Sequence, residues 1–388
     1  MSLILYTYYA VLTIALLRLS LWILLSLSYN LRRKPSTAHF DEKMSIVVPA
    51  FNEERTIAKT IRSLLMIDYP DFEVIIVDDG SRDGTLAECR RFEASGVKVI
   101  HQDNGGKPRA LNRGIDATEG TVIVTVDADT TLHRDALRRI ADRFATDSRI
   151  GAVAGNVKVN PERGLLNALQ AAEYTTRINL VRKAESVLGC VTVVPGPIAA
   201  FRKQAIERAG RFSADTFAED FDMTMEVLRS GYRVEYEDRA LAYTEAPVTL
   251  EDLMKQRRRW YRGMIQVLAK HRDMYMKRRF GIAGTVGVPS IWFDVTAPFL
   301  NVALILLALF TSLFAVEPSI SLLGLGVYFT MATAVSGLAI TLDPVPKARE
   351  FATVPLLFFH NLFMDGVRMM SLVEEMVGIF MSWEKPQR

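Results

Sequence analysis

The chain has 388 residues, 49% of them hydrophobic, with a mean hydropathy of +0.14 and a formal net charge of +3. That length holds one large globular domain and something more, and the apolar surplus lies at the two ends. Near-balanced charge with no basic arm argues against a nucleic-acid partner, and Cys89 and Cys190 offer neither metal-site spacing nor a disulfide framework.

Leu3 to Leu27 is an apolar run long enough to cross a bilayer, with no basic leader and no small-residue cleavage site, so a removed signal peptide is not expected. Arg32, Arg33 and Lys34 come directly after it, and the positive-inside rule then puts the N-terminus outside and the chain beyond Arg32 in the cytoplasm. The two cysteines therefore read as free thiols in a reducing compartment. Arg18, inside the run, either snorkels or faces protein or a polar cavity.

From Met44 to about Asp238 strands and helices alternate. Ser45–Ala50, Glu73–Asp78, Val97–His101, Thr121–Asp127 and Gly151–Val157 read as short buried strands. Glu53–Ile67, Asp83–Ala94, Lys107–Ala117 and His133–Phe144 read as helices between them. This is the pattern of a mostly parallel sheet covered on both faces, in which ligands bind beyond the carboxyl ends of the strands. After Gly164 the pattern loosens into a long helix near Leu165–Lys183, a Pro/Gly loop at Val193–Pro197 and a helix around Asp220–Ser230. Thr249 to Lys270 reads as a strongly basic amphipathic helix with a capping-box-like start at Thr249 and Asp252; a membrane surface or an anionic ligand would suit it.

Lys277, Arg278 and Arg279 then precede a second apolar region. Val295–Val316 and Ile320–Leu342 are expected to span, joined by a turn at Glu317-Pro318. Phe351–Leu372 is a third candidate, and Gly281–Phe293 reads as an interfacial segment.

The chemistry concentrates where strands end. The first strand runs into Ala50, Phe51, Asn52 and Glu53; the second into Asp78, Asp79 and Gly80; the third into Gly105, Gly106 and Lys107; the fourth into Asp127-Ala128-Asp129. Each is a plausible turn for backbone reasons alone. Four at successive ends of one sheet would converge on one cleft. Acids there can bond sugar hydroxyls or a base, Lys107 can sit on a phosphate, and Asp127 with Asp129 offers hard oxygens to a divalent cation. If the strand continues through Asp127, side-chain alternation puts both carboxylates on one side. Farther on, Glu219-Asp220 opens a helix: either acids favoured by the helix dipole or a general base. Gln256, Arg259 and Trp260 stand at i, i+3 and i+4 on one helix face, with Arg257 and Arg258 pointing elsewhere. That face suits either a membrane surface or a sugar-diphosphate ligand.

Together these stretches (VVPAFNEE, VDDGS, GGK, VDAD, GPIAAFR at 196–202, AED at 218–220, YTEAP at 243–247 and QRRRW at 256–260) resemble the membrane-embedded, processive family 2 glycosyltransferases with a GT-A domain, such as the poly-N-acetylglucosamine, cellulose, chitin and hyaluronan synthases. The resemblance covers about Met44 to Gly263. It implies that Ala50, Asn52, Glu53 and Asp79 bind the uridine, with Lys107 near the diphosphate. Asp127 and Asp129 would hold Mg2+ or Mn2+, and Asp220, beside Glu219, would be the catalytic base. Gln256, Arg259 and Trp260 would bind the acceptor end and the diphosphate, and Gly196, Pro197, Phe201 and Arg202 would wall the acceptor side. Ala218 departs from the pattern, since many members carry Thr there.

The resemblance divides the chain into a transmembrane helix over 1–30, a cytosolic α/β (Rossmann-like) GT-A domain over 31–248, the amphipathic helix and interfacial segment over 249–294, two to three transmembrane helices over 295–375 and a tail over 376–388. The implied activity is inverting β-transfer from a UDP-sugar, N-acetylglucosamine ahead of glucose, to a polysaccharide moved across the plasma membrane. Arg18, His360, Asn361, Asp365 and Arg368 either line its path or pair with each other. Transfer of one sugar to a membrane lipid is the alternative, and a homo-oligomer is left open. An inactive scaffold would predict a broken acid set, whereas Asp79, Asp127, Asp129 and Asp220 are all present.

Overall fold

The structure, a computed structural model, describes residues 2–32, 40–160, 164–314 and 318–379. In chain order its first half runs α1 (Ser2–Arg32), β1 (Met44–Ala50), α2 (Ile57–Leu65), β2 (Phe72–Asp79), α3 (Thr85–Arg90), β3 (Val97–Gln102), α4 (Lys107–Asp116), β4 (Val122–Thr125), β5 (Thr130–Leu132), α5 (Ala136–Phe144) and β6 (Ile150–Val159). The second half runs α6 (Gly164–Glu173), α7 (Leu180–Leu188), β7 (Ala199–Arg202), α8 (Lys203–Arg208), α9 (Glu219–Arg229), β8 (Arg233–Thr244), α10 (Leu250–Lys270), α11 (Val288–Phe314), α12 (Pro318–Thr341) and α13 (Ala348–Val377).

The eight strands form one sheet in the order β3-β2-β1-β4-β7-β6-β8-β5. β3, β2, β1 and β4 are parallel, with Met44 of β1 facing Phe72 on one side and Val122 on the other. β1 and β4 are almost wholly buried, which is why their sequences are continuous apolar runs rather than alternations. α2 and α5 close one face through residues at helical spacing, Ile57, Ile61 and Leu64 and then Leu137, Ile140 and Phe144. β7 runs antiparallel to both β4 and β6 and joins the halves of the sheet. The expected mostly parallel α/β architecture is what forms.

Several local expectations change. β4 ends at Thr125; Asp127 to Thr130 is a tight turn closed by the Thr130 N–H on the Asp127 carbonyl, 3.0 Å. The turn, not strand alternation, sets the two carboxylates. The 196–202 stretch, expected to wall the acceptor side, becomes strand β7 from Ala199. The helix expected over Leu165–Lys183 carries a π turn at Tyr174–Asn179 between α6 and α7. Gly281–Phe293 is continuous with the helix that follows: a π turn at Ala283–Gly287 leads directly into α11.

Among the described residues, four helical stretches are long and apolar enough to cross a membrane: Tyr6–Leu31, Ala283–Phe310, Leu323–Thr341 and Ala348–Val377. Arg33 and Lys34, on which the orientation expectation rests, and Glu317 of the expected turn lie outside the described residues.

Candidate active site

The strand ends converge as the topology requires. At the end of β1, Asn52 takes a positive φ of 54°, its side-chain oxygen accepts from the Arg82 N–H at 2.8 Å, and its own N–H donates to Ser81 Oγ at 2.9 Å. The Glu53 N–H donates to Thr85 Oγ1 at 2.7 Å. Ala50 itself is buried in the core. Asp79, at the end of β2, accepts from the N–H groups of Gly105 (2.9 Å) and Gly106 (2.8 Å) and from Gln102 (2.7 Å). Its carboxylate thus shapes the glycine loop that opens α4, and a positive φ of 84° at Gly106 completes that turn.

Lys107 starts α4 and reaches the centre of the site. Its Nζ lies 2.7 Å from Asp127 Oδ1 and 2.8 Å from Glu219 Oε1. Burial works against its charge, but Asp127, Glu219 and Asp220 outweigh burial and hold its pKa above the usual lysine range. Burial would raise Glu219, yet Lys107 and Arg259 keep it low. Asp220 goes the other way: burial and the neighbouring Glu219 charge push it up, against Lys107 and the N–H groups of Phe221 (2.8 Å) and Gly196 (3.2 Å). Adjacent acids with opposed shifts suit one permanently ionised group and one proton acceptor.

Gly196 ties this together. A Cβ there would lie 2.8 Å from Lys107 Nζ and 2.9 Å from Asp127 Oδ2. Its loop is clamped from behind by Glu185, which accepts from Thr192 N–H (3.2 Å) and Oγ1 (2.8 Å). Burial, with added repulsion from Asp294, pushes the Glu185 carboxyl up to about 7 despite those bonds. A Cβ at Gly263 of α10 would meet the Ala218 methyl at 2.8 Å. Two small residues thus let α10 approach the turn that presents Glu219, the position where the departure from the family pattern occurs.

A cavity of about 610 Å³ joins these groups. Lys107, Asp127, Asp129, Gly196, Pro197, Glu219, Asp220, Gln256, Arg259 and Trp260 all line it. Asn52, Glu53 and Asp79 stand at the adjoining strand ends rather than in its wall. Two expected site residues are elsewhere. Phe201 is fully buried, edge-on to Phe212 at 6.0 Å, and Arg202 bonds the carbonyls of Ile150 (2.9 Å) and Phe144 (3.2 Å). Both sit in β7 where it pairs with the start of β4, the end of the strand away from Asp127, so they support the sheet and do not wall the acceptor side.

Sequence spacing also sent Arg257 away from the ligand face. The structure buries it under the site, 2.8 Å from Glu173, with its guanidinium 4.3 Å from the Trp260 ring centre. Glu173 also meets His360 of α13 at 3.2 Å. Neither partner could be found from local pattern, because each comes from a distant segment.

Below the polar mouth the cavity continues between α1, α11, α12 and α13, and Tyr8, Leu12, Leu304 and Ala308 pack into a buried cluster at the outer end. Arg18 pairs with Asp294, Asn301 donates to Asp365 at 2.8 Å and Arg368 donates to the Asp294 carbonyl at 2.9 Å. Arg18, Asn361, Asp365 and Arg368 thus line the cavity, with Asp294 and Asn301 rather than one another as the partners of Arg18, Asp365 and Arg368, while His360, which does not line it, meets Glu173. Gln256 Oε1, Asn361 Oδ1 and Asp365 Oδ1 are buried without a hydrogen-bond partner, which leaves acceptors for a hydroxyl-bearing ligand.

Asp127 and Asp129 offer hard oxygen donors beside the side-chain-free Gly196, a donor set that fits Mg2+ or Mn2+. A second group, Asp222, Glu226 and His271, brings ligand atoms within 4.8 Å of one another, but Lys270 (2.8 Å from Asp222) and Arg229 (3.4 Å from Glu226) already neutralise it and none of the three lines the cavity.

Residues 45–210 match the family described as glycosyl transferase family 2. The poly-beta-1,6-N-acetyl-D-glucosamine synthase of Staphylococcus aureus (strain COL) is 31% identical over 254 residues, 65% of this chain and 62% of that protein. The enzyme of the same name from Staphylococcus epidermidis is 31% identical over 59% of this chain and 56% of that protein. The chain thus spans about three fifths of the length of these relatives. A mannosyltransferase from Pyrobaculum calidifontis, solved with GDP-Man and Mn2+, superposes with a TM-score of 0.70 at 19% identity, covering 97% of this chain and all of that one, so the two share a fold.

Proposed function

We propose that this protein, whose residues 45–210 match glycosyl transferase family 2, is an inverting glycosyltransferase that passes a sugar, N-acetylglucosamine first, from a UDP-sugar to a growing polysaccharide. The observation that carries the reading is one cavity lined by Lys107, Asp127, Asp129, Asp220, Arg259 and Trp260. The likeness to poly-N-acetylglucosamine synthases supports the sugar.

The strand ends at Asn52, Glu53 and Asp79 would receive the uridine, and Lys107 and Arg259 the diphosphate. Asp127 and Asp129 would hold Mg2+ or Mn2+, which when bound offsets charge on the UDP leaving group. Trp260, backed by Arg257, gives a flat apolar face for the acceptor sugar. Asp220 takes the proton from the acceptor hydroxyl as that oxygen bonds to the anomeric carbon and the bond to the UDP phosphate oxygen breaks. A raised pKa makes Asp220 a better proton acceptor, and Glu219, held ionised by Lys107, keeps that proton off itself. Because acceptor hydroxyl and leaving group occupy opposite faces, an α-linked donor yields a β-glycoside. The catalytic domain would lie in the cytoplasm of a cell whose plasma membrane holds α1, α11 and α12, and the cavity between these helices would take the growing chain.

The test is purified enzyme with single UDP-sugars and Mn2+ or Mg2+, reading UDP release and product size. UDP-N-acetylglucosamine should give the highest turnover and a polymer ladder. Asp220→Asn should still bind UDP and lose at least about a hundredfold in rate; near-normal turnover in that variant would sink the assignment. A single lipid-soluble product would select the glycolipid alternative.

A further inference from the structure

We propose that Asp222, clamped by Lys270 and His271 at the end of α10, is a positioning residue that fixes where Asp220 stands relative to the acceptor. The inference rests on Asp220 as the base and adds to that reading the groups that aim it.

Asp222 lies in the first turn of α9, two residues beyond Asp220. At about 100° per residue the two side chains leave the helix on nearly opposite sides. Asp220 lines the cavity, whereas Asp222 turns back toward α10 and receives Lys270 Nζ and His271 Nε2, each at 2.8 Å. Its side chain is 3% exposed. Burial works against its charge, but His271 and Lys270 outweigh burial and hold the carboxyl below the usual Asp value.

The hydrogens of this contact follow from its partners. A carboxylate only accepts, so His271 Nε2 carries the proton. Arg229 only donates, and its Nη2 lies 3.0 Å from His271 Nδ1, so that nitrogen is bare. Arg229 is in turn held by both carboxylate oxygens of Asp273, at 2.7 and 2.8 Å. Asp222 and Arg229, at i and i+7, thus place one stripe of α9 against the buried His271 at the end of α10.

α10 also holds the approach to the base. Gln266 Oε1 accepts the Phe217 N–H at 3.0 Å, Lys270 reaches Asp215 at 3.1 Å, and Gly263 leaves room for the Ala218 methyl. Gly263, Gln266 and Lys270 continue, at spacings of three and four, the face that carries Gln256, Arg259 and Trp260. One helix face therefore carries the acceptor-side groups at its start and holds the base-bearing segment 215–222 at its end. The acceptor hydroxyl and its base are registered to each other through a single rigid element. Side-chain atoms stand about 5–6 Å from a helix axis, so a roll of about 10° in α9 would move the Asp220 carboxylate by about 1 Å. A displacement of that size costs up to about a hundredfold in rate. The clamp on the far side of the turn resists that roll. Since Asp222, Lys270 and His271 do not line the cavity, their loss acts on turnover and not on donor binding.

The test uses the full-length enzyme in detergent, with Mn2+ and the UDP-sugar that gives the highest turnover. His271→Leu should lower kcat by about ten- to a hundredfold, with the donor KM and the UDP dissociation constant within about twofold of the parent. His271→Gln, whose amide nitrogen still donates to Asp222, should recover most of the loss. Lys270→Met, at a side chain 30% exposed, should show the same split in smaller measure and serves where His271→Leu does not fold. A cycle with Asp220→Asn separates aim from general stability. Once the base is gone its aim no longer matters, so adding His271→Leu or Lys270→Met should cost no more than about twofold further. Losses that multiply, an equal loss in His271→Gln, a raised donor KM in place of a lowered kcat, or parent turnover in both His271→Leu and Lys270→Met overturns the inference. Near-normal turnover in Asp220→Asn alone overturns the base assignment instead, and the inference falls with it.

Discussion

The Lys107 ammonium sits 2.7 Å from Asp127 Oδ1, on one of the two carboxylates proposed to receive a divalent cation. In the absence of ligand it neutralises the DxD turn, and a cation must share or displace it. Lys107→Met should therefore tighten Mn2+ binding to the nucleotide-free enzyme by roughly tenfold, about 1.4 kcal/mol, while weakening UDP binding. Titration of both ligands by calorimetry checks this, and unchanged Mn2+ affinity would count against Asp127 as a ligand.

Gly196 touches the same pair from the other side. In Gly196→Ala the new methyl meets the tips of Lys107 and Asp127, which can yield without cost to the fold. The expected outcome is a thermal midpoint close to that of the parent and a fall in turnover of roughly ten- to a hundredfold, because the reacting groups are displaced by a fraction of an ångström to one ångström. Parallel losses of stability and activity would argue that the loop is merely structural.

Burial and the Glu219 charge both raise Asp220. The acidic limb of kcat/KM should thus lie above the ordinary Asp value, since protonated Asp220 cannot accept the acceptor's proton. Glu219→Gln removes the repulsion and should move that limb to lower pH, whatever it does to the maximum rate. A pH–rate series on both enzymes reads the shift.

Glu185, at about 7, is a carboxyl whose pKa folding raises. Below the ordinary Glu value both folded and unfolded chains are protonated and nothing is lost. As pH rises from about 4.3 toward 7 the unfolded chain ionises first, so stability falls, and the loss is complete above about 7. Glu185→Gln should therefore melt higher than the parent at pH 8 and close to it at pH 4.5.

Lys158 and Asp343 form a buried pair at 2.6 Å, each side chain 2% exposed, which ties the α12–α13 turn to β6. Lys158→Met leaves Asp343 charged and buried and should cost about 3–5 kcal/mol. Adding Asp343→Leu should restore most of the loss, since two apolar groups need no partner there. Thermal midpoints in detergent for the parent, each single variant and the double variant complete the cycle.

Local pattern was enough to specify the parallel half of the sheet, its four polar strand ends and the acids beyond them. Apolar runs closed by Asn, Asp and Gly are local signals, and a parallel sheet brings its carboxyl ends together whatever lies between. Local pattern likewise marked Gln256, Arg259 and Trp260, because helical spacing needs only neighbouring residues. The remainder depended on contacts between distant segments. Phe201 and Arg202 fell inside the sheet because their stretch became β7, paired between β4 and β6. Arg257 became the brace beneath Trp260 because Glu173, 84 residues earlier, comes to meet it. Hydropathy made Ala348–Val377 a candidate span, since it measures length and composition and not position. What ties that helix to α10 is ion pairing of Glu374 and Glu375 with residues 116 and 113 positions earlier in the chain, which no window along the chain contains.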